Sequence, residues 1–428
     1  MNSSRTLDFI KSIPKTGSLG AKADRLVSLD AYRGFVILMM IFVNFVGEGM
    51  QGIPHWLKHA AASEDLFTFP DLVFPGFLFM VGLAIPLAFA KKMDEPWLPT
   101  LRRILVRTVG LLAVGVIYEN QYRYDESLAL LPKALFSVLF YTAVVVAWYQ
   151  GERKKPWMTW SAVGVLVALM LLYRGQTIDG FQTVYLEHTW WGILGLIGWG
   201  YLLCSVIFLV SRGSGTALMG AMSLMLVLYM GEAAGLLEGI PKVIRDFVGI
   251  GAVFGSTAAN VMAGVIAGRW FIADRKNKVV LASERRAIHV RRIAYMCVYA
   301  AGLIAAGYLL RPYHHISKIS ATESYTLITA GINLLGFMVF YVLLDVFKWR
   351  AWAAFLIPAG TNALLAYIIP DYFDKLMQLV GLGKLWWAAG WPYFQTGGLP
   401  GVLNAAAVTL LMILLTQVLT RLGVRLKI

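Results

Sequence analysis

The sequence predicts an all-α fold: a polytopic membrane bundle of about 10–12 transmembrane helices with both termini in the cytoplasm. Three observations carry this. Of 428 residues, 58% are hydrophobic and 14% are charged, where a soluble chain carries about 25% charged residues. The mean hydropathy is +0.66, and the apolar residues gather into runs long enough to cross a ~30 Å hydrocarbon core. The basic residues recur between alternate runs. Together these exclude a soluble enzyme, a disordered chain and a nucleic-acid binder, although the formal charge is +14.

The apolar stretches are 28–50, 72–90, 101–118, 130–149, 157–174, 190–211, 216–233, 249–270, 291–310, 322–347, 350–370 and 399–421. Several contain Gly, Pro or a polar residue, which a spanning segment accepts where neighbouring helices or a cavity satisfy the freed groups. With the amino terminus inside, the inner segments are 1–25, 91–103, 153–155, 212, 269–292, 348–350 and 421–427, and they hold most of the 38 basic residues. That is the positive-inside pattern. Merging 190–211 with 216–233 would invert everything downstream and place the basic cluster at 275–292 outside. The domain organisation is a cytoplasmic tail over 1–27 and one transmembrane unit over 28–428. The tail lacks the features of a cleaved signal peptide. Cys204 and Cys297 both lie in apolar runs and indicate no disulfide framework.

The longer outer loops, 51–71, 174–189, 233–248, 311–321 and 371–398, are rich in Trp, His, Gly and Pro. An outward-facing site would be assembled there. On the first helix, Asp30 and Arg33 are three residues apart and share a face. Arg33 is either a ligand contact or an interfacial partner of Asp30. Asn44, near the outer end of that helix, either bonds another helix or takes part in catalysis. Before the second helix come His55, His59, Glu64, Asp65 and Asp71. An imidazole with a carboxylate to fix its tautomer suits proton transfer near neutrality. The bland alternative is that His59 and Asp71 tie down an exposed loop. His314 and His315 have too few neighbouring ligands for a metal site, and no metal is expected. GSTAANVMAGVIAG has the small residues of a close helix contact, and Asp345 with Lys348 and Arg350 reads as a local ion pair.

Taken in order, RLVSLDAYRGFVILMMIFVNFVGEG, LKHAAASEDLFTFPDLVFPGFLFMVGLAI, GSTAANVMAGVIAG, ISKISATESYTLITAGI and PAGTNALLAYIIPDYF resemble the transmembrane acyltransferase family of heparan-α-glucosaminide N-acetyltransferase. The likeness is to a compact bacterial variety without a luminal domain, which implies residence in the bacterial inner membrane. It implies acetyl-CoA as the cytoplasmic co-substrate and the amine of a glucosamine-like sugar or glycan as acceptor on the far side. By this carry-over His59 matches the catalytic histidine of a K-H-A motif and Asn44 the assisting asparagine of V-N. Asp71 matches the aspartate of D-L-V-F-P, and Asn362 the asparagine of a late G-x-N motif. The family's R-I-P-G-V-L-Q-R motif is replaced by LLPKALFSVLF, which keeps Lys133 and lacks the Gln-Arg pair. The helices around HTWWGILGLIGWGYLLCSVIFL add to the basic pattern, so the acceptor need not be heparan sulfate.

On that reading neutral His59 takes the amine proton and the Asn44 amide donates to the oxyanion, in direct transfer rather than through an acetyl-histidine. Lys91, Lys92, Arg102, Arg103 and Arg107 are counter-charges for CoA phosphates. Arg33, Lys133, Ser256 and Asn362 complete the expected cofactor contacts. The competing readings are a sugar O-acetyltransferase and a glycan or lipid transporter or flippase. Sequence fixes no oligomeric state, a homodimer included.

Overall fold

The computed structural model describes residues 26–47, 50–92, 95–152, 154–177, 179–188, 191–272, 282–382 and 397–426. In chain order the helices are α1 (Val27–Val46), α2 (Val73–Phe89), α3 (Trp97–Asn120), α4 (Lys133–Trp148), α5 (Pro156–Leu172), α6 (Gly192–Val210), α7 (Gly215–Ala233), α8 (Lys242–Val248), α9 (Ala258–Arg269), α10 (Ala282–His314), α11 (Glu323–Tyr341), α12 (Leu356–Thr361), α13 (Ala363–Leu379) and α14 (Gly398–Arg421). Among the described residues one short hairpin forms, β1 (Gly175–Gln176) with β2 (Gln182–Thr183).

Among the described residues, eight helical segments are long and apolar enough to cross a membrane, and α4 and α5 are shorter apolar helices. The protein is an integral membrane protein with a polytopic helical bundle. The expected segments 190–211 and 216–233 are separate helices, α6 and α7. Between them lies a tight turn in which Arg212 and Gly213 take left-handed φ values of 48° and 69°. Two segments differ from expectation. The stretch over 350–370 is broken at Asn362 (φ −125°, ψ 49°) into α12 and α13, a break that hydropathy cannot register. The stretch over 249–270 enters α9 through a widened π-helical turn, Ile250–Thr257, preceded by the separate α8. Widened turns of this kind mark sites where backbone geometry is adjusted locally.

The bundle centres on α2, which packs along α9 and against α1, α6 and α11. A Cβ at Gly264 would strike the Phe79 carbonyl, and one at Gly268 the Leu83 carbonyl. The small residues of GSTAANVMAGVIAG therefore let α9 and α2 approach backbone to backbone, which is how helices associate where no hydrophobic driving force separates them from lipid.

Hydrogen bonding sorts the loops into two sets. At one end Val27 and Ser28 N–H donate to Asp345, Gln150 N–H donates to the Arg425 carbonyl, and Asn362 holds the turn at 424–426. At the other end Gly398 N–H donates to the Gln51 carbonyl, Arg311 to Asp65, Arg123 to Glu187 and Tyr229 to the Ser320 carbonyl. Among the described residues no hydrogen bond joins the two sets. These are the same sets into which the Lys/Arg bias divides the sequence, so geometry and charge give the same alternation of crossings. The first set is here called the basic end.

Candidate active site

At the end opposite the basic one, the 3₁₀ turn Pro70–Leu72 leads into α2. Pro70 at its start needs no hydrogen-bond acceptor and sets the entry angle. This turn holds Asp71, fully buried, under the loop that carries His59. His59 Nδ1 lies 2.7 Å from Asp71 Oδ1. Asp71 Oδ2 accepts from Ala60 N–H (3.1 Å) and Thr68 N–H (3.0 Å), and the Thr68 hydroxyl lies 2.9 Å away with its one proton shared with the Lys58 carbonyl at 2.5 Å. The Asp71 carbonyl accepts from the Tyr325 hydroxyl at 2.5 Å. A buried carboxylate is stable only with such a set of donors. Loop 58–68 folds around this one side chain because its backbone amides satisfy it.

The saturation of Oδ2 leaves Oδ1 for His59. Lys318 Nζ stands beside this pair, 2.9 Å from His59 Nδ1 and 3.5 Å from Asp71 Oδ1. Nδ1 can donate to Asp71 or accept from Lys318, not both. The Nδ1–H tautomer satisfies the shorter contact and lets the ammonium balance the carboxylate charge. Nε2 then keeps a lone pair, with the Lys318 ammonium 3.4 Å away. The imidazole is partly open, with 29% of its side chain exposed, so this nitrogen can meet a substrate proton.

Lys318 belongs to the loop between α10 and α11, which is under local strain. His315 and Ala321 both have left-handed backbones, with φ of 58° and 47°. Such a conformation costs an L-residue about 1–2 kcal/mol. Ser324 Oγ donates to the His315 carbonyl and Ser256 Oγ to the Ala321 carbonyl, holding both. Asp65 pins the same loop by accepting from Ile316 N–H (2.7 Å) and Arg311 (2.9 Å). Partial burial pushes the Asp65 carboxyl up, but these donors, the Arg311 charge and His315 outweigh it and hold the group below the usual carboxylate range.

The sequence-predicted residues divide. His59 and Asp71 are in contact. Asn44, in the last turn of α1, reaches the same end of the bundle, where Val46 packs with Ile53 and Leu57 of the loop. Its side chain is exposed and makes no hydrogen bond to the described residues. Lys133 does not fit a site at the basic end: it begins α4 at the opposite end, where its N–H donates to Glu126. Ser256 also stands at that opposite end. It lies in the π-helical turn beside the 315–321 loop, and its hydroxyl is engaged by backbone carbonyls. Asn362 is a structural clamp: its amide donates to Thr420 Oγ1 and the Val424 carbonyl, and its oxygen accepts from Leu426 N–H. Arg33 ties α1 to α12 through the Gly360 carbonyl at 3.0 Å, with Asp30 at 3.8 Å. His314 and His315 do not converge: the first meets Glu323, the second Asp65.

At the basic end, Arg102 and Arg103 are exposed, Lys92 lies over the Phe89 ring, and the Lys91 side chain is outside the described residues. Arg107 stacks on Tyr201 at 4.5 Å, and its buried Nε has no hydrogen-bond partner among the described residues. An unsatisfied guanidinium donor beside exposed cations fits a phosphate-bearing ligand.

Lys318, Thr68 and Tyr325 were not singled out by sequence. The signal for Lys318 was a lysine in an outer loop, against the positive-inside trend.

The chain has distant, partial similarity to known proteins. A family model described as a domain of unknown function, DUF5009, matches residues 25–232. Heparan-alpha-glucosaminide N-acetyltransferase of Homo sapiens is 35% identical over 109 residues, which is 25% of this chain and 16% of that protein. The Mus musculus protein of the same name is 34% identical over 102 residues, 23% of this chain and 15% of its own length. The matched stretch thus spans less than a fifth of these relatives, and the likeness is to part of an N-acetyltransferase.

Proposed function

We propose that this protein is a transmembrane acetyltransferase that moves the acetyl group of cytoplasmic acetyl-CoA to the amine of a glucosamine-like sugar on the outer face of a bacterial inner membrane. The observation that carries this is the His59–Asp71 pair at 2.7 Å on the face opposite the basic end. The partial similarity to an N-acetyltransferase favours acyl transfer over transport.

The chemistry follows from the geometry. Asp71 holds His59 with Nδ1 protonated, so Nε2 is the base that takes a proton from the attacking amine. The exposed Asn44 amide, with no hydrogen bond among the described residues, is the donor for the tetrahedral oxyanion; one such donor is worth about 10²–10³ in rate. His59 returns the proton to the departing sulfur. Lys92, Arg102, Arg103 and Arg107 receive the CoA phosphates at the basic end, with the pantetheine arm running between helices toward His59. The buried residues beneath the site exclude water and protect the thioester.

Purified protein supplied with acetyl-CoA and glucosamine tests this. Amine-dependent CoA release that is lost in His59→Ala is expected. Release with a sugar that offers only hydroxyls would redirect the assignment to O-acetylation. Absence of acetyl-CoA binding would refute it in favour of transport.

A further inference from the structure

A second imidazole–carboxylate pair stands at the same end of the bundle. His314 Nδ1 lies 2.7 Å from Glu323 Oε1, the Glu323 side chain is fully buried, and 28% of the His314 side chain is exposed. The arrangement parallels His59 and Asp71, in which the carboxylate is also fully buried and 29% of the imidazole is exposed. The two pairs are set by one segment. Lys318 reaches His59, and Tyr325, two residues after Glu323, donates to the Asp71 carbonyl.

The pairs differ in one respect. Asp71 Oδ2 has two backbone N–H donors and the shared Thr68 hydroxyl. Glu323 Oε2 is buried and accepts no hydrogen bond among the described residues. A buried carboxylate oxygen left without a donor is costly. The charged and titratable groups around this pair are Tyr229 and Glu232 of α7, Asp65 of the α1–α2 loop, and Arg311, His315 and Lys318 of its own segment. Arg311 and His315 are both turned to Asp65, and Glu232 accepts from Gly251 N–H.

We infer that His314, backed by Glu323, is a second catalytic base, which receives the acceptor as an ammonium ion and removes its first proton. This rests on the amine acetyltransferase reading above. The proton count gives such a group a role. A protonated amine R–NH3⁺ carries three N–H bonds, and the product amide R–NH–CO–CH3 keeps one. As the C–N bond forms and the C–S bond breaks, two protons leave nitrogen. His59 takes one and hands it to the sulfur of CoA, giving the thiol. The other goes to His314 before attack and from there to outside water. His59 cannot carry both in one turnover without releasing a proton midway.

The test compares wild type, His314→Gln and Glu323→Gln across pH, with glucosamine and with hydroxylamine, an amine uncharged at neutral pH. With glucosamine at pH 7, both variants are expected to fall by about tenfold, because an amine of pKa about 8 is then only about one-tenth uncharged. They should converge on wild type by about pH 9, above the ordinary amine pKa. With hydroxylamine both should match wild type at pH 7. An equal deficit at every pH and with both amines, or no deficit at all in both variants, overturns the assignment while leaving the acetyltransferase intact. Failure of the wild type to acetylate either amine overturns both. Glu323→Gln preserves side-chain shape, so it carries the test if His314→Gln does not fold.

Discussion

Replacing Asp71 with asparagine changes one atom and should invert the tautomer of His59. The amide has two ends, and the protein fixes which end faces which neighbour. At the Oδ2 position it meets Ala60 N–H at 3.1 Å and Thr68 N–H at 3.0 Å, backbone donors that cannot turn away. Placing the NH2 group against them would forfeit both bonds, at roughly 1–3 kcal/mol for each buried group left unsatisfied. The asparagine oxygen therefore takes that position, with a preference of about 2–6 kcal/mol. Its NH2 then faces His59 Nδ1, 2.7 Å from the present Oδ1, and Nδ1 must become an acceptor. The proton moves to Nε2, and the base is lost. Where a carboxylate fixes a catalytic histidine in this way, the amide replacement costs about 10⁴ in turnover, and a loss of about 10³–10⁴ is expected here. The assay is CoA release with glucosamine, normalised to folded protein by thermal melting in detergent. His59→Ala combined with Asp71→Asn should be no worse than His59→Ala alone, because the two act as a unit. A folded Asp71→Asn protein within tenfold of wild type would refute the reasoning.

Three other variants probe separate parts of the account. Asn44→Ala should lower turnover by about 10²–10³ with an unchanged melting temperature, since the side chain is exposed and makes no hydrogen bond among the described residues; a fall in stability instead would assign it to helix packing. Asn362→Ala removes three hydrogen bonds and should cost about 1–4 kcal/mol, seen as a lower melting temperature with unchanged activity per folded molecule. Asp65 has a folded-state pKa below its unfolded value. It therefore contributes stability above the unfolded value and loses it as pH falls through the folded one. The melting-temperature gap between wild type and Asp65→Asn should accordingly be present at neutral pH and close as pH is lowered to about 3.

The helices were legible because a membrane segment announces itself by unbroken hydropathy, and basic residues fixed their alternation. The break at Asn362 was not, since a helix interrupted by one residue keeps the same apolar composition. His59 and Asp71 lie twelve residues apart; their residue types suggest an imidazole–carboxylate pair, and the ordered resemblance singles out His59 as its base. Lys318, 259 residues from His59 in the chain, and Glu323, whose burial no local pattern signals, required the fold. Composition does not signal at which end of their helices Lys133 and Ser256 stand. Both lie at the end of His59, while the expected phosphate contacts lie at the other.

The central claim is that an acetyl group crosses the bilayer from CoA on the basic side to an amine met by His59 on the other. The most direct measurement uses sealed right-side-out membrane vesicles with acetyl-CoA trapped inside and an impermeant amino sugar outside. The account predicts acetylated sugar in the external medium with wild type and none with His59→Ala. Product only when both reagents share one side of the membrane would contradict it.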